Sequence, residues 1–577
     1  MDLAAVDEVV RLSVCGDERA VTATRILDTL RMSDDRWDIG LQLFFKGSTD
    51  TAKFFGLSMV RDYLDSRVPV ERRKTIRDAM MEWVKTAIVP QQPGAGARKD
   101  ERPPVYLVNN VASVITLCIK HDYPELWPGA FEEVMQLGNS CIAGLDMTVR
   151  ILTDLDVEVV TAFVEGGTAA SSAAAGGANT SAATSLLQKE MAHNTAVKDA
   201  MRKGDVTRNI VNLLSKSAVY LRTDPGVHQL HGRGKCNALS RRCLRCMASF
   251  IGWIDVNLVI SETLSTLYQA LQDEVLCAPA LACLYELVKK GMDPAVKAYL
   301  IHSIDVVPML LRVPLGKSDP TEANFGADED EDNHLFELGL IIDMIALELL
   351  GCWNKYEDMY LGDAKGNSPK GTATQEEMLN IQNVSLIVAS NLHKLMPLLL
   401  QMFSVEEYEC ANTVLPALAK FLNTLKVQKA NQDRLSVAMS TFEANRAQRS
   451  SQSRQGNSQE MSVSSAVNDP TCKYFQVVDY FETILGGIYR QMQYPDDFEY
   501  DANDEDDAEV MEVCALPVIY DAFCLFFFFV CAFIFLPLPI LPSLATTTAS
   551  GSCIALMYAP SLLVAHRNIE ILITLVE

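Results

Sequence analysis

Four cations gather in the middle of the chain, Lys235, Arg241, Arg242 and Arg245, preceded by His228, His231 and Arg233. On a helix beginning near Asn237 the three arginines share one face, because residues three and four apart are neighbours on a helix surface. A row of guanidinium groups of this kind is what grips phosphate oxygens, through charge-assisted and often bidentate hydrogen bonds. The bland reading is a solvated outer face, which is what most charge runs are. A second cluster, Arg67, Arg72, Arg73, Lys74 and Arg77, also reads as a solvated face, with docking of a protein partner as the functional alternative.

Cys243 and Cys246 sit inside the first cluster as a CxxC, with Cys236, His228 and His231 upstream. Thiolate and imidazole groups are zinc ligands, but one CxxC without a matched second pair is only half of a tetrahedral set. The pair lies at i, i+3 on a helix running into Phe250 and Trp253, so both thiols read as core residues and no metal is expected. Nor is a catalytic constellation present in the sequence. There is no phosphate-cradling P-loop, no GxGxxG, no HExxH and no GxSxG elbow. Gly232-Arg233-Gly234-Lys235 is glycine-rich but lacks the spacing of a nucleotide cradle. The expectation is a chain that binds macromolecules, without enzymatic activity and without a cofactor.

The elements that must position these groups are helices. Leu338, Ile341, Ile342, Ile345 and Leu349 recur at helical spacing, as do Leu415, Leu418, Phe421, Leu422 and Leu425, and Val111, Val114, Ile115 and Cys118. Sustained alternation of the strand type is missing. Short punctuation such as Asp122-Tyr123-Pro124, Trp127-Pro128 and Gly291-Met292-Asp293-Pro294 separates the helices. At 577 residues the chain exceeds what one core supports, since cores stop growing at roughly 250–300 residues. Helices of ten to twenty residues joined by short turns instead predict an all-α superhelical solenoid of helical hairpins, of the degenerate HEAT or ARM type with repeats of roughly 40–47 residues.

A net charge of −24 argues against nucleic-acid binding over the whole surface. It leaves room for a local basic track, because phosphate contacts need only a handful of arginines and lysines. The fifteen cysteines are scattered, many inside apolar runs, which suits free thiols in a reducing compartment. Met1 to Val10 carries three acids and no basic cap, unlike a secretory or transit signal. The body of the protein is therefore expected in the cytosol or nucleus.

Several stretches interrupt the helical pattern. Gly166 to Ser185 is an uncharged run of Ala, Gly, Ser and Thr, expected to be a flexible insertion. Asp328 to Asp332 is five acids in a row, and Ser450 to Ser465 is Ser/Gln-rich and expected to be disordered. After Glu512 the character changes: Ala522 to Ala545 is uncharged, with Phe526 to Phe529 followed by Pro537, Pro539 and Pro542. The length would span a bilayer. Three prolines and the lack of an obvious basic anchor make it a poor membrane helix. It reads better as aberrant sequence, such as a read-through intron, than as a C-terminal anchor.

Some of these stretches carry a resemblance. Arg25-Ile26-Leu27 through Trp37 to Phe44-Phe45, then Phe54-Phe55-Gly56-Leu57, resembles the first hairpins of the importin-β/exportin (karyopherin) family. Tyr123-Pro124-Glu125-Leu126-Trp127-Pro128, followed by Phe131, is similar to a turn of the same family. Met191 to Arg202, Cys243 to Ile260 and Leu284 to Pro294 resemble the tRNA-exporting branch. The acidic block ending Glu509-Val510-Met511-Glu512 resembles a segment near the middle of such a receptor.

The resemblance implies Ran-binding hairpins over 1–95 and exportin-like HEAT repeats over 96–164. The insertion would take 165–190. Further repeats would fill 191–512, with a disordered loop near 445–470, and the hydrophobic tail takes 513–577. It further implies a receptor that binds tRNA cooperatively with Ran in its GTP form, passes nuclear pore proteins and shuttles between nucleus and cytoplasm. On that reading the nucleotide belongs to Ran, whose docking region would include Arg67 to Arg77. The tRNA would meet Lys235, Arg241, Arg242 and Arg245, and no membrane is expected for residues 1–512. A receptor for protein cargo and a Ran-independent scaffold are the rival readings.

Overall fold

Apolar side chains three and four positions apart can be buried only if each helix finds a neighbour, and the chain meets this demand hairpin by hairpin. The computed structural model describes residues 3–15, 18–65, 67–89, 103–161, 180–315, 333–361, 375–405 and 408–425, together with 427 and 484. The described residues are helical and contain no strand. They divide into two compact units, Met1–Gly291 with Gly316–His334, and Met292–Leu315 with Leu335–Glu577.

The first unit holds α1 (Leu3–Ser13), α2 (Glu18–Arg31), α3 (Arg36–Lys46), α4 (Asp50–Tyr63), α5 (Val70–Trp83), α6 (Val105–Asp122), α7 (Ala130–Ser140) and α8 (Ile142–Leu155). It continues with α9 (Thr180–Lys203), α10 (Val206–Thr223), α11 (Pro225–His231), α12 (Arg233–Ile251), α13 (Val256–Ala270) and α14 (Cys277–Lys289). α5 and α8 each run on into a π-helical turn, Val84–Ile88 and Asp156–Thr161.

Pairing gives this unit two layers. α3, α5, α7, α10 and α13 each lead into a hairpin whose second helix is α4, α6, α8, α12 or α14. The second helices lie side by side in that order. Such neighbour-to-neighbour stacking is the helical-repeat solenoid expected from the periodicity. α6 shows the energetic basis: Val111, Val114, Ile115, Cys118 and Ile119 are fully buried, each large aliphatic contributing about 1.5–3 kcal/mol. The α3–α4 hairpin closes to backbone contact at Gly40 and Gly56, where a Cβ on either would lie 2.6 or 2.5 Å from the other's carbonyl oxygen.

The insertion is shorter than the sequence suggests. Helix α9 begins at Thr180, so 180–190 belongs to a helix rather than to a flexible linker. The Ala-rich stretch has good helix formers and runs directly into the amphipathic residues that follow. Buried Lys120 of α6 secures α9, reaching Glu190 at 2.9 Å and Glu158 of the π turn at 3.1 Å. His193 also reaches the Lys120 carbonyl at 2.6 Å.

The second unit holds α15 (Pro294–Ser303), α16 (Val306–Leu310), α17 (His334–Leu361), α18 (Gln375–Phe403) and α19 (Tyr408–Asn412), followed by helical residues 415–425. Within α18, Asn383–Phe403 is long and apolar enough to cross a membrane by length and composition. Its Val384, Val388, Leu392, Leu395, Met396 and Leu399 are buried against protein. The stripe from Leu338 to Leu349 is buried in the same way. Residues 165–179, the acidic run 328–332, nearly all of the 445–512 region and the tail 513–577 lie outside the described residues.

Candidate nucleic-acid interface

Helix α12 is set by what precedes it. Asp224 caps α11, accepting from the backbone N–H of Gly226 at 2.8 Å and Val227 at 3.2 Å, with Pro225 in the first turn. Gly232 then takes φ of 86°, a left-handed conformation that ends α11 and lets α12 begin. The helix starts at Arg233, four residues before Asn237, so Lys235 lies in its first turn. Cys236, Leu239, Cys243, Leu244, Met247, Phe250 and Ile251 form its buried face. That face dictates where the cations go: Lys235 is exposed, and Arg241, Arg242 and Arg245 are half-buried at the rim.

The nineteen residues of α12 include five cations, Arg233, Lys235, Arg241, Arg242 and Arg245, and no acid. A carboxylate comes instead from the adjacent helix α8. Asp146 lies 2.6 Å from Arg242 and 2.9 Å from Arg150, one turn further along α8. Arg150 in turn donates to the Asn109 side chain on α6. Asn109, Arg150, Asp146 and Arg242 thus form a polar row across α6, α8 and α12. Arg245 is also engaged within the structure.

The two thiols of the CxxC face inward. Cys243 and Cys246 are buried, and burial pushes both thiols up, that of Cys246 to about 12. No group of three or more His, Cys, Asp and Glu side chains suited to a metal occurs among the described residues. Asp255 caps α13, accepting from the Asn257 N–H at 2.7 Å. Trp253 packs against Phe250 and beneath the Arg202 guanidinium.

The other arginine cluster has a different environment. Arg73 is buried, with Nε 2.7 Å from Asp122 and Nη1 2.7 Å from the Val68 carbonyl. Arg77 lies over the Trp127 ring, 4.8 Å from its centroid, and also pairs with Asp78. Arg72 donates to the Tyr63 hydroxyl at 2.7 Å and lies over Trp37. Arg67 is exposed and paired with Asp65, and Lys74 is exposed. The Tyr123-to-Pro128 turn completes this joint: Tyr123 meets Phe131 edge-on, and Trp127 donates to Glu133 at 2.9 Å. Here the arginines mainly tie α5 to the end of α6, to the turn that follows it, and to Trp37 and Tyr63 of α3 and α4.

Sequence reasoning overlooked Arg150, Asn109 and Asp146. The i, i+4 spacing of Asp146 and Arg150 was the available signal, but such a pair reads as an ordinary helix-surface ion pair.

Comparison with known proteins covers the same helices. The family model for exportin 1-like proteins matches residues 104–174 and 181–284, which include α6 to α8 and α10 to α13. Exportin-T of Danio rerio is 23% identical over 439 residues, covering 74% of this chain and 38% of the relative. Exportin-T of Mus musculus is 23% identical over 432 residues, covering 72% and 37%. Exportin-T of Arabidopsis thaliana is 26% identical over 212 residues, covering 36% and 18%. The chain therefore spans well under half the length of these relatives. Over its N-terminal part, this chain is similar to exportin-T, and a stretch of its stacked hairpins matches the exportin 1-like family model.

Proposed function

We propose that this chain is a nuclear export receptor of the exportin type that binds tRNA together with Ran in its GTP form and shuttles through the nuclear pore. The kinship with exportin-T suggests the receptor class. The observation that carries the cargo reading is α12, which places five cations and no acid on one helix of a chain with net charge −24. A folded RNA is held chiefly through its phosphates and shape, and a short basic track beside stacked helices suits that task.

Cooperation between two ligands follows from the architecture. Stacked hairpins touch mainly their neighbours, so the array can flex. Ligands that favour the same curvature then strengthen each other's binding by reciprocal linkage. Ran would dock on the N-terminal hairpins, where Arg67 and Lys74 keep exposed charge. Arg72, Arg73 and Arg77 would support that surface from within. Nuclear pore proteins are further expected partners.

The test is retention of a tRNA transcript on the purified chain with Ran-GTP, Ran-GDP or no Ran. Retention that depends on Ran-GTP and weakens steeply with salt is expected. Retention of protein rather than tRNA would favour a protein-cargo receptor, and indifference to Ran would favour a scaffold.

A further inference from the structure

We infer that Asp146 is a restraining counter-ion of the basic track, and that Arg150 is a further phosphate-binding residue held beside it. The inference rests on the tRNA reading above and adds to it a specific site and a means of tuning. Three observations carry it. α12 contains no acid of its own. Asp146, from the neighbouring helix, lies within 3 Å of guanidinium nitrogens from two different helices, 2.6 Å to Arg242 and 2.9 Å to Arg150. The cluster is also reachable from solvent: side-chain exposure is 43% for Arg242, 25% for Asp146 and 18% for Arg150.

Two guanidinium groups converging on one carboxylate have the donor arrangement that binds a phosphodiester, because both anions present paired oxygens to forked N–H donors. The carboxylate therefore competes with an incoming phosphate. Arg242 can turn outward on its long stem. Arg150 is less free: Asp146 holds its Nε, and Asn109 accepts from its Nη1. Asn109 is neutral, so it orients Arg150 without cancelling its charge. With Asp146 in place, two cations and one anion leave a net charge of one at this point. The carboxylate thus limits how tightly any phosphate backbone is held there, and a transport receptor needs such a limit because it must release its cargo.

The experiment is tRNA binding to the full chain with Ran-GTP across a salt series, comparing wild type, Asp146→Asn, Arg150→Gln, Arg150→Gln/Arg242→Gln and the triple variant. Asp146→Asn is expected to tighten binding about three- to ten-fold and steepen the log–log salt slope by about one. Arg150→Gln is expected to weaken binding by a similar factor and flatten the slope. In the background lacking both arginines, Asp146→Asn should give less than about a two-fold change, because the carboxylate acts through them.

A wild-type chain that binds tRNA while Asp146→Asn leaves affinity and slope unchanged would overturn this inference and leave the export reading standing. So would an equal gain in the background without the arginines. If no variant holds tRNA with Ran-GTP, both the inference and the tRNA reading fail. Should Asp146→Asn not fold, Arg150→Gln decides: unaltered affinity and slope count against the site.

Discussion

The α5 cluster and the α12 cluster each gather five arginines and lysines, over residues 67–77 and 233–245, yet the fold uses them in different ways. Around α5, Arg73 is buried on Asp122, Arg77 lies on Trp127, and Arg72 is spent on Tyr63 and Trp37. Around α12 the arginines stay at the rim of the core, and Asp146 comes to Arg242 from a neighbouring helix. The difference lies in what the tertiary structure brings to each cluster. Carboxylates and aromatic rings converge on the first and turn it into a joint. Thiols and aliphatic groups line the inner face of the second and leave its cations outward. Charge density along a sequence thus says little until the partners are known.

The hardest test of this contrast is Arg73→Ala. The Asp122 side chain is 1% exposed, and its Oδ2 already lacks a hydrogen-bond partner. Removing Arg73 leaves a buried carboxylate without its main counter-ion, which costs about 3–5 kcal/mol. Chemical denaturation should register that loss, together with any weakening of Ran binding through the disturbed α5–α6 joint. A change below about 1 kcal/mol would show that Arg73 is not a structural residue.

Charge reversal of Arg241, Arg242 and Arg245 to Glu should do the opposite. Binding of tRNA is expected to fall by about ten- to a hundred-fold, with a salt slope flatter by about two to three. Stability should change far less than for Arg73→Ala, since these side chains sit at the rim. An unchanged slope would remove α12 from the RNA interface.

What was legible in the sequence follows the range of the interactions. The helical class, the buried Leu338 stripe and the inward CxxC all depend on residues within a few turns of one another, and periodicity reports those. The fate of Arg73 depends on Asp122, 49 residues away, and that of Arg150 on Asn109, 41 residues away. No local pattern encodes such pairings. The start of α9 is hidden for another reason: an Ala/Gly/Ser stretch looks like a linker by composition, whereas the helix from Thr180 is docked through Glu190, which meets Lys120 of α6 70 residues away.

That clasp offers a third measurement, on a lysine that behaves like the α5 cluster. Lys120→Met keeps most of the buried volume but removes the charge shared by Glu158 and Glu190. Both carboxylates are partly exposed, so the cost is expected at about 1–2 kcal/mol. Hydrogen exchange should quicken chiefly in α9, with α6 protected as before. Uniform quickening would mean that α9 unfolds only with the whole unit.

The smallest effect concerns the other carboxylate on α8, and it asks whether this helix mixes both behaviours. Asp154 is buried enough that desolvation, with Glu158 nearby, pushes it up to about 6, against the opposing pull of Arg150 and Arg61. The folded state therefore holds a proton that the unfolded chain releases at its ordinary, lower value. Stability from this group is full below about pH 4, declines as pH rises towards 6, and stays reduced above it. Asp154→Asn should abolish that decline. The variant would match wild type near pH 3.5 and exceed it at pH 7 by about 1 kcal/mol, partial exposure keeping the gain modest. Asp146 lies two turns earlier on α8, and Arg150 stands between the two carboxylates. If Asp154→Asn also tightened tRNA binding, the restraint on the track would belong to the whole acidic face of α8. A purely thermal response confines it to Asp146 and keeps the division between joint and interface within a single helix.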